Sequence, residues 1–244
     1  MKTRERRSPA TKISVADKSS QERLVLAARD CLERDGLRRF KVLDVAAEAG
    51  VNVALINYYF GGKDGLLDEV VRRMSMSIVK ARTERLEALL KAHADGTPDP
   101  RAVLHCWIDP WVEYVEQGQN YEVMALMLDV LFAADVEHER KERLLSENLK
   151  LTSRFIDVLG QCFPRVPRPV IVWQMLCAVG ASYVVLGQRE PVGWVALAGS
   201  NVPTGSSRTR AHELVNFVLG GFMGAAEATP RALASQGPVK SQLA

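Results

Sequence analysis

The stretch Val42–Phe60, VLDVAAEAGVNVALINYYF, decides the fold. It reads as two short helices with a tight turn between them. Val42, Val45, Ala46 and Ala49 recur at i, i+3, i+4, i+7, the buried stripe of a first helix. Ala46 stands where the two helices cross, and only a small side chain fits there. Gly50 stands in the turn, where φ > 0 is needed and glycine adopts it at least cost. Val51 and Leu55 fill the join, and Ile56 points back into the core beside Val45. Asn52, Val53, Ala54, Asn57 and Tyr58 remain outward on the second helix. This is the layout of a helix-turn-helix, its second helix sized to enter a DNA major groove.

The flanks sharpen the reading. Tyr58-Tyr59-Phe60-Gly61-Gly62-Lys63-Asp64-Gly65-Leu66-Leu67 follows. Aromatics close the unit, glycines turn the chain and Lys63 opens the next helix. With Gly36, Asp44-Val45-Ala46, Ala49-Gly50-Val51, Tyr59-Phe60, Lys63 and Leu66-Leu67 in place, the stretch Gln21 to Arg73 resembles the tetracycline-repressor (TetR) family of bacterial transcriptional regulators. The chain departs from that family's pattern at four places. Lys41 stands before the first of the two helices, where a capping Ser or Thr is usual, and cannot accept the amide bonds of a cap. Leu43 replaces a commonly polar residue, Asn57 a frequent tyrosine, and Asn52 a frequent Ser or Thr, although Asn caps equally well.

Composition is that of an ordinary globular chain, 47% apolar and 25% charged over 244 residues. The net charge of +3 is unevenly placed. Residues 1–85 carry 18 Lys and Arg against 12 Asp and Glu, and residues 86–244 carry 14 against 17. The positive share travels with the helix-turn-helix, as phosphate binding requires. Cys31, Cys106, Cys162 and Cys177 are far apart, without a CxxC pair, and read as thiols of a reducing cytosol. No apolar run reaches the ~18 residues of a membrane span, and no apolar segment follows the basic N-terminus as a secretory signal needs.

The expected organisation is all-α. Residues 1–19 form a disordered basic arm, either solvated or touching DNA beside the main site. Residues 20–65 form a three-helix DNA-binding head, with Ser20 capping its first helix and Gly36 ending it. A long helix from Lys63 to about His93 joins the head to a helical effector-binding and dimerisation body over 66–227, and residues 228–244 are a disordered tail. In the body, Asp99 caps a helix with Pro100 at its first position. Asp109-Pro110 either caps a further segment or kinks a single helix. Tyr121–Ala134, Val136–Phe163, Val170–Gln188 and Arg208–Glu227 read as further helices, and 191–206 as a long glycine-rich connection.

Site residues follow from this layout. Lys41, Tyr59 and Lys63 are expected to hold phosphates. Asn52, Asn57 and Tyr58 are expected to meet base edges, with Val53 and Ala54 beside them. The last two helices are apolar on more than one face. Trp173, Leu176, Leu214, Phe217, Val218, Gly221 and Phe222 are assigned to a dimer interface, because a monomer would leave that patch wet; the resemblance implies the same interface. Trp107, Trp111, Met124, Met127 and Phe132 are either plain core or the lining of a site for a small, mainly apolar effector. His93, His105, His138 and His212 are scattered, so neither a metal site nor a nucleophile–base pair is visible, and Gly61-Gly62-Lys63 lacks P-loop spacing. Neither catalysis nor a cofactor is expected. The resemblance implies a cytoplasmic homodimer that represses transcription from a double-stranded DNA operator and is released by its effector. The alternative is a helical dimer without DNA binding that acts through partner contacts, and the charge placement argues against it.

Overall fold

The structure is a computed structural model that describes residues 15–94, 96–118, 122–123, 125–127, 138–186 and 207–228. Its described elements are helical throughout. They are α1 (Val15–Asp35), α2 (Val42–Ala49), α3 (Ala54–Phe60), α4 (Lys63–Ala92), α5 (Pro100–Gly118), α6 (His138–Cys162), α7 (Arg168–Leu186) and α8 (Ser207–Ala228). The chain separates into two compact units, Met1–Val70 and Val71–Ala244, and the division falls inside the unbroken helix α4.

The first unit closes around one small core. Leu24, Ala28, Cys31 and Leu32 of α1, which packs on α2, are buried, as are Val45, Ala46 and Ala49 of α2, Ile56 of α3 and Leu66 and Val70 of α4. The i, i+3, i+4, i+7 stripe read from the sequence is therefore the buried one, with Val42 half-buried at its end. One boundary differs from expectation. Helix α1 begins at Val15, so Ser20 lies inside it rather than capping it, and the basic arm is shorter by five residues. No Gly or Pro stands between Val15 and Ser20 to stop the helix, and a serine caps only where the preceding backbone has left the helical region. The remainder of the arm lies outside the described residues.

The second unit packs α5, α6, α7 and α8 together, with α8 against α5 and α7. Asp99 caps α5 as expected: its Oδ1 accepts the Arg101 amide at 3.0 Å. Helix α5 then runs through Pro110 without interruption, so a single helix is formed there. Trp107 meets Phe155 edge to face at 5.0 Å between ring centres, and Phe163 stacks on Phe222 at 5.4 Å. Most of the segment read as a helix over Tyr121–Ala134, the connection 191–206 and the tail beyond Ala228 lie outside the described residues.

Candidate nucleic-acid interface and body cavity

The turn between α2 and α3 is built by backbone geometry at Gly50. Its φ of 63° is left-handed, and two amides turn back on α2: Gly50 N–H to Ala47 O at 3.1 Å and Val51 N–H to Ala46 O at 3.0 Å. This pair of bonds closes a helix in the Schellman manner and satisfies its last carbonyls. Asn52 then opens α3, its Oδ1 accepting the Ala54 amide at 2.8 Å. That bond uses one lone pair of the amide oxygen and leaves the second, with the NH2 group, for a base edge. Ile56 anchors α3 from below, with 1% of its surface exposed. Asn57 and Tyr58 stand outward, Tyr58 with 69% of its surface exposed. Ala54 is exposed, while Val53 and Tyr59 are half-buried.

The far end of α3 is held as tightly. Gly61 and Gly62 take φ of 73° and 126°, and Gly61 N–H returns to Asn57 O at 3.0 Å. Gly65 lies where a Cβ would sit 1.8 Å from the Phe60 carbonyl oxygen, so α4 approaches α3 only because that side chain is missing. The Lys63 Nζ donates to the Phe40 carbonyl at 3.2 Å and lies 5.4 Å from the Phe40 ring centre. Lys63 thus ties α4 to the segment before α2 with one of its three donors, leaving the other two for a phosphate. Lys41 is exposed and offers α2 no side-chain cap, as its chemistry dictates. Leu43 beside it is also exposed.

One clamp in this unit was not read from the sequence. Arg34 of α1 donates to Glu48 of α2 at 2.9 Å, and the Cys31 thiol donates to the same carboxylate oxygen at 3.3 Å. The Arg34 bond, then the Cys31 bond, hold the Glu48 carboxyl below its usual range. Burial, followed by the Glu48 hydrogen bond, pushes the Cys31 thiol up to about 11.

In the body, α4, α5, α6 and α7 line an open-mouthed cavity of about 390 Å³, a size typical of small-molecule sites. Trp107, Trp111 and Met127 line it, together with Leu145, Leu149, Ile156, Met175, Val179 and Tyr183. Three of the five expected pocket residues are therefore brought together. Met124 and Phe132 lie outside the described residues. Arg82 lines the same cavity and is 6% exposed. It continues the buried stripe Met74, Ile78, Leu86 of α4 at steps of four, and that register was the signal in the sequence that could have found it. Desolvation lowers its guanidinium to about 9, so the charge persists at neutral pH.

The expected dimer residues divide into two sets. Trp173, Leu176 and Phe217 are 63%, 54% and 70% exposed. Leu214, Val218 and Phe222 instead face the core of their own unit, Phe222 on Phe163, and this corrects their assignment. Gly221 is half-exposed and lines a groove with Phe217 and Gly220, and a Cβ there would meet the end of the Gln174 side chain at 2.7 Å. Gly180, Gly220 and Gly224 are glycines with open space before them. They extend two stripes, Trp173, Leu176, Cys177 and the half-buried Gly180 on α7, and Phe217, Gly220, the half-exposed Gly221 and Gly224 on α8, each at i, i+3, i+4, i+7 spacing. The register on each helix was the missing information, since a helix apolar nearly all round does not declare which face is inside.

Comparisons with known proteins agree on both units. Residues 24–70 match the family described as "Bacterial regulatory proteins, tetR family", and residues 105–221 match "Tetracyclin repressor-like, C-terminal domain". The chain is similar to the HTH-type transcriptional regulator BetI of Vibrio vulnificus (strain YJ016), 33% identical over 106 residues, which cover 38% of this chain and 54% of that protein. It is also similar to BetI of Vibrio parahaemolyticus serotype O3:K6, 26% identical over 145 residues, covering 54% of this chain and 72% of that one. The matched region thus spans about half the length of the first of these relatives. Among solved structures, the TetR family transcriptional regulator PfmR from Thermus thermophilus shares the fold at TM-score 0.59 and 17% identity, over 82% of this chain and 98% of that one. The fatty acid degradation regulator FadR from Bacillus halodurans does so at TM-score 0.59 and 15% identity, over the same shares. With both halves of its fold matched, this chain belongs to the tetR family of bacterial regulatory proteins.

Proposed function

We propose that the protein is a homodimeric transcriptional repressor that binds an operator in double-stranded DNA and is released by a small molecule held in the body. The observation that carries this is the head. Gly50, Asn52 and Ile56 fix α3 on a closed core and leave Asn57 and Tyr58 facing outward. The excess of positive charge over residues 1–85 supplies the phosphate attraction such a helix needs. Asn57, exposed on α3, is the candidate for base recognition, Tyr58 stands beside it, and Lys41, Tyr59 and Lys63 are the candidates for phosphate contacts.

Two further parts of the proposal come from the body. Trp173, Leu176 and Phe217, with the open glycines of α7 and α8, supply an apolar face for a second copy of the chain. A two-fold dimer presents two heads to two half-sites, whereas a single seven-residue α3 makes too few contacts for a specific site. The cavity supplies the effector site. Arg82, at the cavity, and Lys63, which clasps the head, stand on the same uninterrupted helix, so a ligand that repositions α4 acts on both. The test is selection of a binding site from random duplex DNA, followed by a footprint. A protected two-fold site whose affinity falls steeply with salt is the expected result. Binding that shows no sequence preference, or none at all, would remove the proposal.

A further inference from the structure

The cavity in the body holds a buried charge that meets no counter-charge among the described residues. Arg82 reaches it from α4, and its guanidinium rests on Trp107: Nε donates to the Trp107 carbonyl at 2.8 Å, and Cζ lies 3.7 Å from the indole centre. That leaves both terminal nitrogens without a hydrogen-bond partner among the described residues. The contrast is Arg85, three residues on, which meets Glu113 at 2.6 Å and Asp109 at 3.9 Å. A buried ion is tolerated when it is paired, and an unpaired one is costly. No Asp or Glu is among the described residues that line the cavity.

The other polar groups of the wall divide in the same sense. The hydroxyls of Thr152 and Ser182 donate to backbone carbonyls of their own helices at 2.7 Å, and Asn148 donates to Ser75 at 2.9 Å. Two donors of the wall stand beside Arg82 without such a bond. Trp111 Nε1 is buried without an acceptor among the described residues. The Tyr183 hydroxyl, on a ring held edge to face 5.1 Å from Trp111, has no hydrogen-bond partner among the described residues. Burial keeps that phenol protonated up to about 12, so it remains a donor at any working pH. Ser153 accepts from Arg168 at 3.5 Å, and the rest of the described wall is aliphatic, thioether or the Trp107 ring.

We propose that this cavity binds an amphiphilic monoanion, a carboxylate with an apolar body, its headgroup on Arg82 with Trp111 and Tyr183 as further donors and its body among Leu145, Ile156 and Met175. The proposal rests on the reading of the cavity as an effector site and specifies what that site takes. It replaces the sequence-based expectation of a mainly apolar effector with a charged one. A cavity of about 390 Å³ lies within the range of small-molecule sites, and a ten-carbon acid serves as the probe. A cationic amphiphile of the same length fits the volume and faces the wrong charge.

The test is direct binding to the full chain, without DNA, of decanoate, 1-decanol and decyltrimethylammonium, followed by calorimetry or tryptophan fluorescence below their micellar concentrations. Charge-assisted bonds from a buried guanidinium discriminate by about tenfold to a hundredfold. Decanoate is therefore expected to bind at least tenfold more tightly than decanol, with the ammonium weakest. Arg82→Met is expected to bring decanoate to the level of decanol, and Tyr183→Phe to weaken decanoate severalfold without affecting decanol. Equal affinities for decanoate and decanol overturn the proposal. So do tightest binding of the ammonium, a preference for decanoate that survives Arg82→Met, or no binding of decanoate at millimolar concentration. The ranking in the unaltered protein decides the matter even if Arg82→Met does not fold. Because no DNA is present, a failed ranking leaves the repressor reading standing, and a chain that binds no operator can still show the ranking.

Discussion

Replacing Phe217 by glutamate should separate the dimer while leaving the protomer folded. Phe217 is 70% exposed on α8, in line with Gly220 and Gly224, which have open space before them. Two-fold symmetry brings the residue into the interface twice. A phenylalanine carries ~150–250 Å² of surface, so about 140 Å² per copy is still to be covered. At ~25 cal/mol per Å² that is about 3.5 kcal/mol per copy and ~7 kcal/mol for the pair, an upper bound. Interface residues of this kind commonly contribute ~2 kcal/mol or more on truncation. A weakening of at least ~4 kcal/mol, about a thousandfold in the dimer dissociation constant, is therefore expected. Sedimentation velocity across a concentration series measures it, with circular dichroism to confirm that helix content is unchanged. The control is Phe222→Leu, one helical turn on, where the side chain stacks on Phe163 inside the protomer. That change should lower the melting temperature and leave the dimer constant alone. If Phe217→Glu dimerises as tightly as the parent, or if Phe222→Leu is the change that dissociates it, the two faces of α8 have been assigned the wrong way round.

Three other outcomes are expected. Gly65→Ala places a Cβ 1.8 Å from the Phe60 carbonyl, so urea denaturation should show a loss of ~3 kcal/mol or more in the head, and unchanged stability would mean that α4 approaches α3 less closely than described. Lys63→Ala removes both a phosphate candidate and the bond to Phe40 O. Operator titration at several salt concentrations should give a slope smaller by about one unit, together with a modest fall in melting temperature; a lower melting temperature with an unchanged slope would make Lys63 purely structural. Cys177 is exposed and Cys31 is buried with its thiol pushed up to about 11. At pH 8 the Cys31 thiolate is on the order of one part in a thousand, so alkylation should modify Cys177 first. It should slow as protein concentration rises, because Cys177 lies beside Trp173 on the proposed interface, and concentration-independent labelling would argue against that interface.

The head was legible because each of its devices is local. A left-handed turn needs glycine at Gly50, a short helix on a shared core needs Ala46 and Ile56 at fixed offsets, and both needs are met within 19 residues. The same locality explains the reading of Asp99-Pro100, where cap and first helical position are adjacent in sequence. The error at Ser20 has the complementary cause. A capping side chain is only half of a helix start; the other half is a preceding backbone that has left the helix, and nothing in residues 15–19 forces it to. Gly65 escaped notice because its constraint is a contact with Phe60 across a reversal of the chain, and no periodicity announces such an approach.

The body was legible as helices and illegible as faces. On α7 and α8 apolar residues run round the whole circumference, so periodicity names no interior, and Trp173 and Met175, or Phe217 and Val218, look alike in sequence while one of each pair is exposed and the other buried. Small residues gave the only asymmetry. They stand together in the structure, Gly220 and Gly224 before open space and Gly221 against the end of the Gln174 side chain. Arg82 is the opposite case. Its step of four from Ile78 and to Leu86 marks it as inward, and an inward arginine ordinarily implies a carboxylate opposite. The sequence supplies acids nearby, but Glu113 and Asp109 are taken by Arg85. Only the three-dimensional arrangement shows that Arg82 is left without one among the described residues. That unmet charge is the ground for proposing an anionic ligand.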